Sequence, residues 1–132
     1  MIVDTSVIIA IMKNEPDADD YRKCLALRDE SAKISSASYL EASIVIDRAE
    51  ENILSERLDQ LLAEEKVDIV PFTAAQSHIA RAAYRQYGKG SGHPAQLNFG
   101  DCFAYALAKD SGEALLFKGT DFSQTDVIAA LS

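Results

Sequence analysis

The feature that most constrains this chain is an alternation. Four short apolar runs, Ile2-Val3, Lys33-Ile34-Ser35, Val67 to Phe72 and Ala114-Leu115-Leu116-Phe117, are separated by segments whose apolar residues recur at helical spacing. Brief strands joined through helices are parallel neighbours in a sheet that carries the helices on its faces. The expected class is therefore α/β, a sandwich with a mainly parallel central sheet.

The helical segments follow from their periodicity. Val7 to Met12 is too uniformly apolar to separate helix from strand, although Thr5 or Ser6 could cap a helix there. Ala18, Tyr21 and Leu25 predict a helix over 16–30, with Asp17, Asp19 and Asp20 where the helix dipole favours anions. A helix over 36–50 presents Leu40, Ala42, Ile44, Val45, Ile46 and Ala49, a surface broad enough to call for burial or a partner. Leu54, Leu58, Leu61 and Leu62 predict another over 54–65. Over 73–87, Ile79, Ala83 and Tyr87 form one stripe, with Arg81, Arg85 and Lys89 about 200° round the helix from it. Residues 88–94 read as a flexible Gly-rich loop, 101–111 as a nearly apolar helix, 119–125 as a polar turn and 127–131 as a short tail. With 132 residues, no repeat and no linker, residues 1–132 are expected to form one domain.

Composition narrows the class further. The chain is 48% hydrophobic with 3 Pro and 6 Gly, which excludes disorder and low-complexity structure. Cys24 and Cys102 form no paired motif, so buried, reduced thiols are expected instead of disulfides or a zinc knuckle. No apolar run is long enough to span a membrane and no basic leader precedes Ile2, so a soluble, cytoplasmic protein without a membrane partner is expected. A net charge of −8 opposes indiscriminate binding to nucleic acid. Residues 15–68 carry that whole excess, whereas 71–100 contain no Asp or Glu and hold Arg81, Arg85 and Lys89.

Carboxylates sit at the element boundaries. Asp4 ends the first strand, Glu41 lies early in the helix after the second, Asp101 opens a helix and Asp121 follows the last strand. Ligands of open α/β sheets bind beyond the carboxyl ends of strands, where these four could converge. Converging carboxylates repel unless a cation joins them, and hard divalent ions such as Mg²⁺ or Mn²⁺ take oxygen ligands. Each residue also has a structural explanation. Asp4 could end a strand, Ser38-Tyr39-Leu40-Glu41 fits a capping box, Asp101 could be an N-cap and Asp121 a turn residue. Only their joint placement is informative.

Several segments resemble the PIN-domain family, and more narrowly the VapC toxins of bacterial toxin–antitoxin pairs. They are Ile2-Val3-Asp4-Thr5-Ser6, Ser38-Tyr39-Leu40-Glu41-Ala42, Tyr87-Gly88-Lys89-Gly90, the run from Leu97 to Ala106, and Leu115 to Phe122. The resemblance runs from the first residue to about Asp126. It implies a PIN-like three-layer sandwich and a metal-dependent endoribonuclease that hydrolyses RNA phosphodiester bonds. By the same resemblance, Asp4, Glu41, Asp101 and Asp121 form a catalytic pocket for Mg²⁺, or Mn²⁺. Ser6 supports Asp4, and Asp126 is a candidate outer member. Thr120 departs from relatives that are often acidic or Asn there. Such metals activate water and neutralise phosphate charge, so no protein nucleophile is needed. Arg81, Arg85 and Lys89 would guide the RNA backbone. The resemblance also implies a cognate VapB-type antitoxin that blocks the pocket, and a homodimer, with the apolar faces of 36–50 and 54–65 as candidate surfaces.

Other features point elsewhere or nowhere. The Gly88 to Gly92 segment lacks the strand before it and the ending of a phosphate loop. His78 and His93 have no metal spacing, and Tyr84, Tyr87 and Tyr105 fit amphipathic packing better than base stacking. A receiver-like signalling module would need Lys118 at the pocket. A metal-dependent phosphatase would need a second acid after Asp4, where Asp4-Thr5-Ser6 has none.

Overall fold

The computed structural model describes residues 1–48 and 52–131, and of residues 52–54 the backbone alone. Four strands, β1 (Ile2–Val3), β2 (Ala32–Ser35), β3 (Val67–Val70) and β4 (Leu115–Leu116), form one sheet in the order β3-β2-β1-β4. Every pairing is parallel, with Ile2 opposite both Lys33 and Leu115. The inner strands β1 and β2 and the short β4 hold because their apolar residues are buried, whereas the edge strand β3 exposes Asp68 and Ile69. Val3, Ile34 and Leu116 enter one core, while Ile2 and Leu115 enter the other.

Helices α1 (Thr5–Met12), α2 (Ala18–Leu27), α3 (Ser36–Asp47) and α4 (Asn52–Glu64) send Val7, Ile8, Leu25, Ala42, Leu58 and Leu62 into the first core. The helices α5 (Ala74–Tyr87) and α6 (Asp101–Ser111) fill the second with Ala80, Ala83, Tyr87, Ala104 and Leu107. The result is the expected three-layer α/β sandwich.

The differences from expectation lie at element ends. Asp4, not Thr5 or Ser6, caps α1. α2 is shorter than 16–30 because Arg28 turns extended; its guanidinium donates to the Leu25 and Glu65 carbonyls. β3 stops at Val70, since Pro71 has no N–H for the ladder. α3 ends at Asp47, and Ala49 and Glu50 of the expected helix lie outside the described residues. Of the α3 apolar surface, Ala42 and Ile46 are buried, but Leu40, Ile44 and Val45 face solvent. The loop at 88–94 is zipped at its ends, Lys89 N–H donating to Leu97 O and Leu97 N–H to Tyr87 O, both at 2.9 Å. The tail is no mere turn. Leu115 N–H donates to Ile128 O at 2.8 Å and Ala130 N–H to Leu115 O at 2.9 Å, which covers the outer edge of β4. Both cysteines are free, with Cys102 buried and Cys24 only partly so. No helix among the described residues is long and apolar enough to cross a membrane.

Two buried side-chain atoms, Ser38 Oγ and Gln76 Oε1, lack a hydrogen-bond partner among the described residues. Ser38 is fully enclosed in α3. An unpaired buried hydroxyl carries its desolvation cost without return. Ser38→Ala is therefore expected to raise unfolding stability by about 1 kcal/mol in urea titrations, with an unchanged slope. A loss of stability would show that the hydroxyl is satisfied.

Candidate functional site

The sheet order creates a topological switch. From β1 the chain steps to β2 and β3 on one side, then returns to place β4 on the other side of β1. In open α/β sheets such a switch places the ligand crevice beyond the carboxyl ends of the strands that flank it, here β1 and β4. Asp4 is the first residue after β1 and is buried there. Its Oδ2 accepts from Ser6 N–H at 3.0 Å and Ser6 Oγ at 2.6 Å. Ser6 Oγ in turn accepts from the Lys118 N–H at 3.0 Å, so the backbone beyond β4 holds Asp4 through one hydroxyl.

Glu41 reaches the crevice from the second turn of α3. Its carboxylate lies against the backbone of Gly100, where any Cβ would overlap it. The capping-box reading of Ser38 to Glu41 is corrected: Ser35 caps α3, accepting from Ala37 N–H at 3.3 Å, which places Glu41 too far along the helix. The reciprocal box occurs instead at Asn98 and Asp101. Asn98 Oδ1 accepts from Asp101 N–H and Asp101 Oδ2 accepts from Asn98 N–H, each at 2.9 Å. Asp101 is thus not the N-cap but the acidic member of the box, in the first turn of α6.

These carboxylates act on one another. Burial, with Asp101 and Glu41 nearby, pushes Asp4 up to about 6 against the opposing Ser6 hydrogen bonds. Asp101 is raised as well, by burial and then by Asp121 and Glu41, while the Asn98 amide and Lys89 work the other way. Asp121 is exposed, ahead of a single 3-10 turn (Phe122–Gln124) anchored by buried Phe122. Glu41 therefore acts on both Asp4 and Asp101, and Asp121 acts on Asp101. As they stand, no three His, Cys, Asp or Glu side chains among the described residues close into a metal-holding group. The donor chemistry nonetheless suits a hard divalent cation: Asp4, buried, and Asp101, partly buried, are acids raised further by neighbouring carboxylates, and neither Asp4 Oδ1 nor Asp101 Oδ1 receives a hydrogen bond among the described residues.

The other expected site residues divide. Arg81 and Arg85 are exposed on α5, whereas Lys89 lies beyond the end of that helix and is not part of its face. Its charge still reaches Asp101. Asp126 is not brought to the four. It accepts from Tyr105 Oη at 2.6 Å and pairs with Lys109 at 3.0 Å, about 12 Å of helix rise from Asp101. Tyr87 and Tyr105 are buried, leaving Tyr84 exposed. His93 packs on Tyr87 and its Nδ1 accepts from Ala95 N–H at 3.0 Å; His78 is exposed. Sequence reasoning overlooked Asn98 and Gly100, although the Asn98-x-x-Asp101 spacing carries the box signature.

The PIN domain family model matches residues 1–128. The chain is 52% identical over 131 residues to "VapC ribonuclease Mb0625" of Mycobacterium bovis and, equally, to "Ribonuclease VapC28" of Mycobacterium tuberculosis, covering 99% of this chain and 98% of each relative. Among solved structures it is similar in fold to Mycobacterium tuberculosis VapC20, described as a Sarcin-Ricin loop cleaving toxin. That match has TM-score 0.78 at 16% identity and covers 96% of this chain and 95% of the other. It also resembles a chain of VapBC2 from Rickettsia felis bound to a promoter DNA fragment, with TM-score 0.76 at 16% identity, covering 97% and 94%.

Two outcomes follow from this geometry. Gly100 has helical dihedrals that alanine tolerates, so Gly100→Ala moves only the Glu41 carboxylate. Thermal stability should change by less than about 1 kcal/mol while Mn²⁺ affinity, read by titration calorimetry, falls about tenfold. Unchanged affinity would remove Glu41 from the cation site. Asp4, with its folded value raised from 3.8 to about 6, binds protons more tightly folded than unfolded, so its ionised form opposes folding above that range. Asp4→Asn should stabilise the metal-free protein at pH 7 by up to about 3 kcal/mol, a gain that shrinks as pH falls from 6 to 4. Denaturant melts across pH check this.

Proposed function

The chain belongs to the PIN domain family, and on that premise we propose that it is a divalent-metal-dependent endoribonuclease, a toxin restrained by a cognate antitoxin. The observation that supports this reading is the pair of raised acids at the switch point of the sheet, Asp4, buried, and Asp101, partly buried, with Glu41 acting on both and Asp121 on Asp101. These four residues would hold Mg²⁺ or Mn²⁺. When bound, such an ion lowers the pKa of water and neutralises charge developing on phosphate oxygens.

The chain's own residues supply position and selection. Ser6 and the Lys118 amide fix Asp4, Asn98 fixes Asp101, and Gly100 leaves room for the Glu41 carboxylate. In a protein of net charge −8, the exposed Arg81, Arg85 and Lys89 would admit the RNA backbone from one side. Asp126, tied to Tyr105 and Lys109, would act as a structural residue of the α6 flank.

Partner surfaces are proposed on α3. Leu58 and Leu62 of α4 are buried in the core, whereas Leu40, Ile44 and Val45 of α3 border a groove of about 460 Å³ with Phe99 and Phe103. That face suits a VapB-type antitoxin segment or the second copy of a homodimer. The receiver-like alternative has no support from Lys118, whose Nζ pairs with Glu15 at 2.9 Å and Asp17 at 3.2 Å. The phosphatase alternative needs a second acid at position 6, where Ser6 instead donates to Asp4.

The test is cleavage of a mixed RNA panel, tRNAs included, with Mg²⁺ or Mn²⁺ and with or without EDTA. Asp101→Asn keeps an oxygen for the Asn98 amide, so it should fold normally yet lose about a hundredfold or more in rate. Discrete cuts that survive EDTA, or that the variant makes equally well, would overturn the proposal.

A further inference from the structure

A second groove, of about 380 Å³, lies between α5 and α6, lined by Phe72, Tyr84, Phe99 and Phe103 with Arg81 and Arg85. Phe99 is 76% exposed and Tyr84 43%. Both rings are nonetheless backed by rigid structure. Phe99 meets Phe103 edge-on at 4.9 Å and 78°, and Phe103 meets Phe72 at 5.0 Å and 76°. The Tyr84 ring lies directly against Gly88, where a Cβ would collide with it. Aromatic area held in water by its neighbours is unfavourable for an isolated chain and marks a surface for binding.

Charge identifies the occupant. The charged side chains that line this apolar groove, Arg81 and Arg85, are both cationic, and residues 71–100 contain no Asp or Glu. A ligand that offers a flat apolar face while carrying anions on either side matches both features, and an unpaired nucleotide strand is such a ligand. Position agrees. Phe99 stands two residues before Asp101 and also borders the groove that contains Glu41, so a base resting on it belongs to a nucleotide next to the carboxylate site.

We propose that the groove between α5 and α6 is a nucleobase subsite, in which an unpaired RNA base stacks on Phe99 and Tyr84 while Arg81 and Arg85 hold its flanking phosphates. This rests on the ribonuclease reading and deepens it. Selection of the cut site then depends on a base that can leave its helix, so loops and single strands are the substrates.

The test measures binding of short single-stranded RNA, and of an abasic strand of equal length, to the Asp101→Asn protein and to its Phe99→Leu and Tyr84→Leu derivatives. Phe99 is mostly exposed, so its replacement leaves the core intact. The base-bearing strand should bind more tightly than the abasic one by about fivefold to a hundredfold, the range of one base–aromatic stack, and Phe99→Leu should erase most of that preference. Arg81→Gln should instead weaken both strands alike and flatten the salt dependence. A preference that Phe99→Leu leaves intact, or no preference at all, overturns the subsite, while cleavage that depends on Asp101 still upholds the ribonuclease. No RNA binding by the unaltered chain overturns both. If Phe99→Leu changes the mass in light scattering and leaves RNA binding alone, the groove holds protein and the subsite is wrong.

Discussion

A buried carboxylate at the end of the central strand organises this molecule. Asp4 leaves β1 with nowhere to place its charge except the start of α1, where Ser6 receives it, and Ser6 is held in turn by the backbone after β4. One short network therefore joins β1, α1 and β4 at the point where the sheet changes direction. The opposite end of the sheet shows what a satisfied acid looks like. Glu113, partly buried, meets the Met1 ammonium at 2.7 Å and Lys33 at 2.7 Å, and these hold it down at about 2 despite the cost of burial. Asp4 has no such cation and is pushed up to about 6. The two ends of one sheet thus carry acids in opposite states, and the unsatisfied end is where the crevice opens.

Capping and ligand binding prove to be one arrangement at this site. Weighed on sequence alone, Asp4 and Asp101 each had to be either a structural acid or a functional one. In the structure each commits Oδ2 to a helix start, and among the described residues each has no hydrogen bond on Oδ1. A cap fixes the rotamer, and a fixed rotamer is what a preorganised ligand requires. Glu41 reaches the same end by exclusion: it rests where Gly100 has no side chain.

The sheet, its parallel pairing and the placing of the four acids near element ends were legible because period and boundary are local properties of the chain. Ile2-Val3 and Leu115-Leu116 read as buried strands from composition alone. What escaped was whatever depends on two distant segments. That Lys118 lends its amide to Ser6 requires β4 to lie beside β1, and that Lys118's ammonium turns to Glu15 and Asp17 requires α2 to start nearby. The Ser38 to Glu41 spacing matched a capping box, yet the helix began one residue after Ser35, so the motif fell out of phase. Asp126 misled for a related reason. Its place in sequence followed Asp121, but the turn at Phe122 carried it along α6 to Tyr105 and Lys109.

Charge distribution completes the logic of the fold. The acids that dominate 15–68 come after α1 and run to β3, while the segment free of acids supplies α5 and the zipped loop beyond it. A polyanion approaching from the α1–α4 side would meet repulsion, whereas α5 and the loop after it expose Arg81, Arg85 and Lys89. Lys89 matters more than its place past the helix end suggests. Its backbone is pinned to Leu97, its charge works on Asp101, and it thereby links the cationic approach to the acidic crevice. On the proposed ribonuclease reading, a net negative charge that disfavours loose binding and a basic edge that admits the substrate would be two parts of one selection, imposed by which side of the sheet each segment packs against.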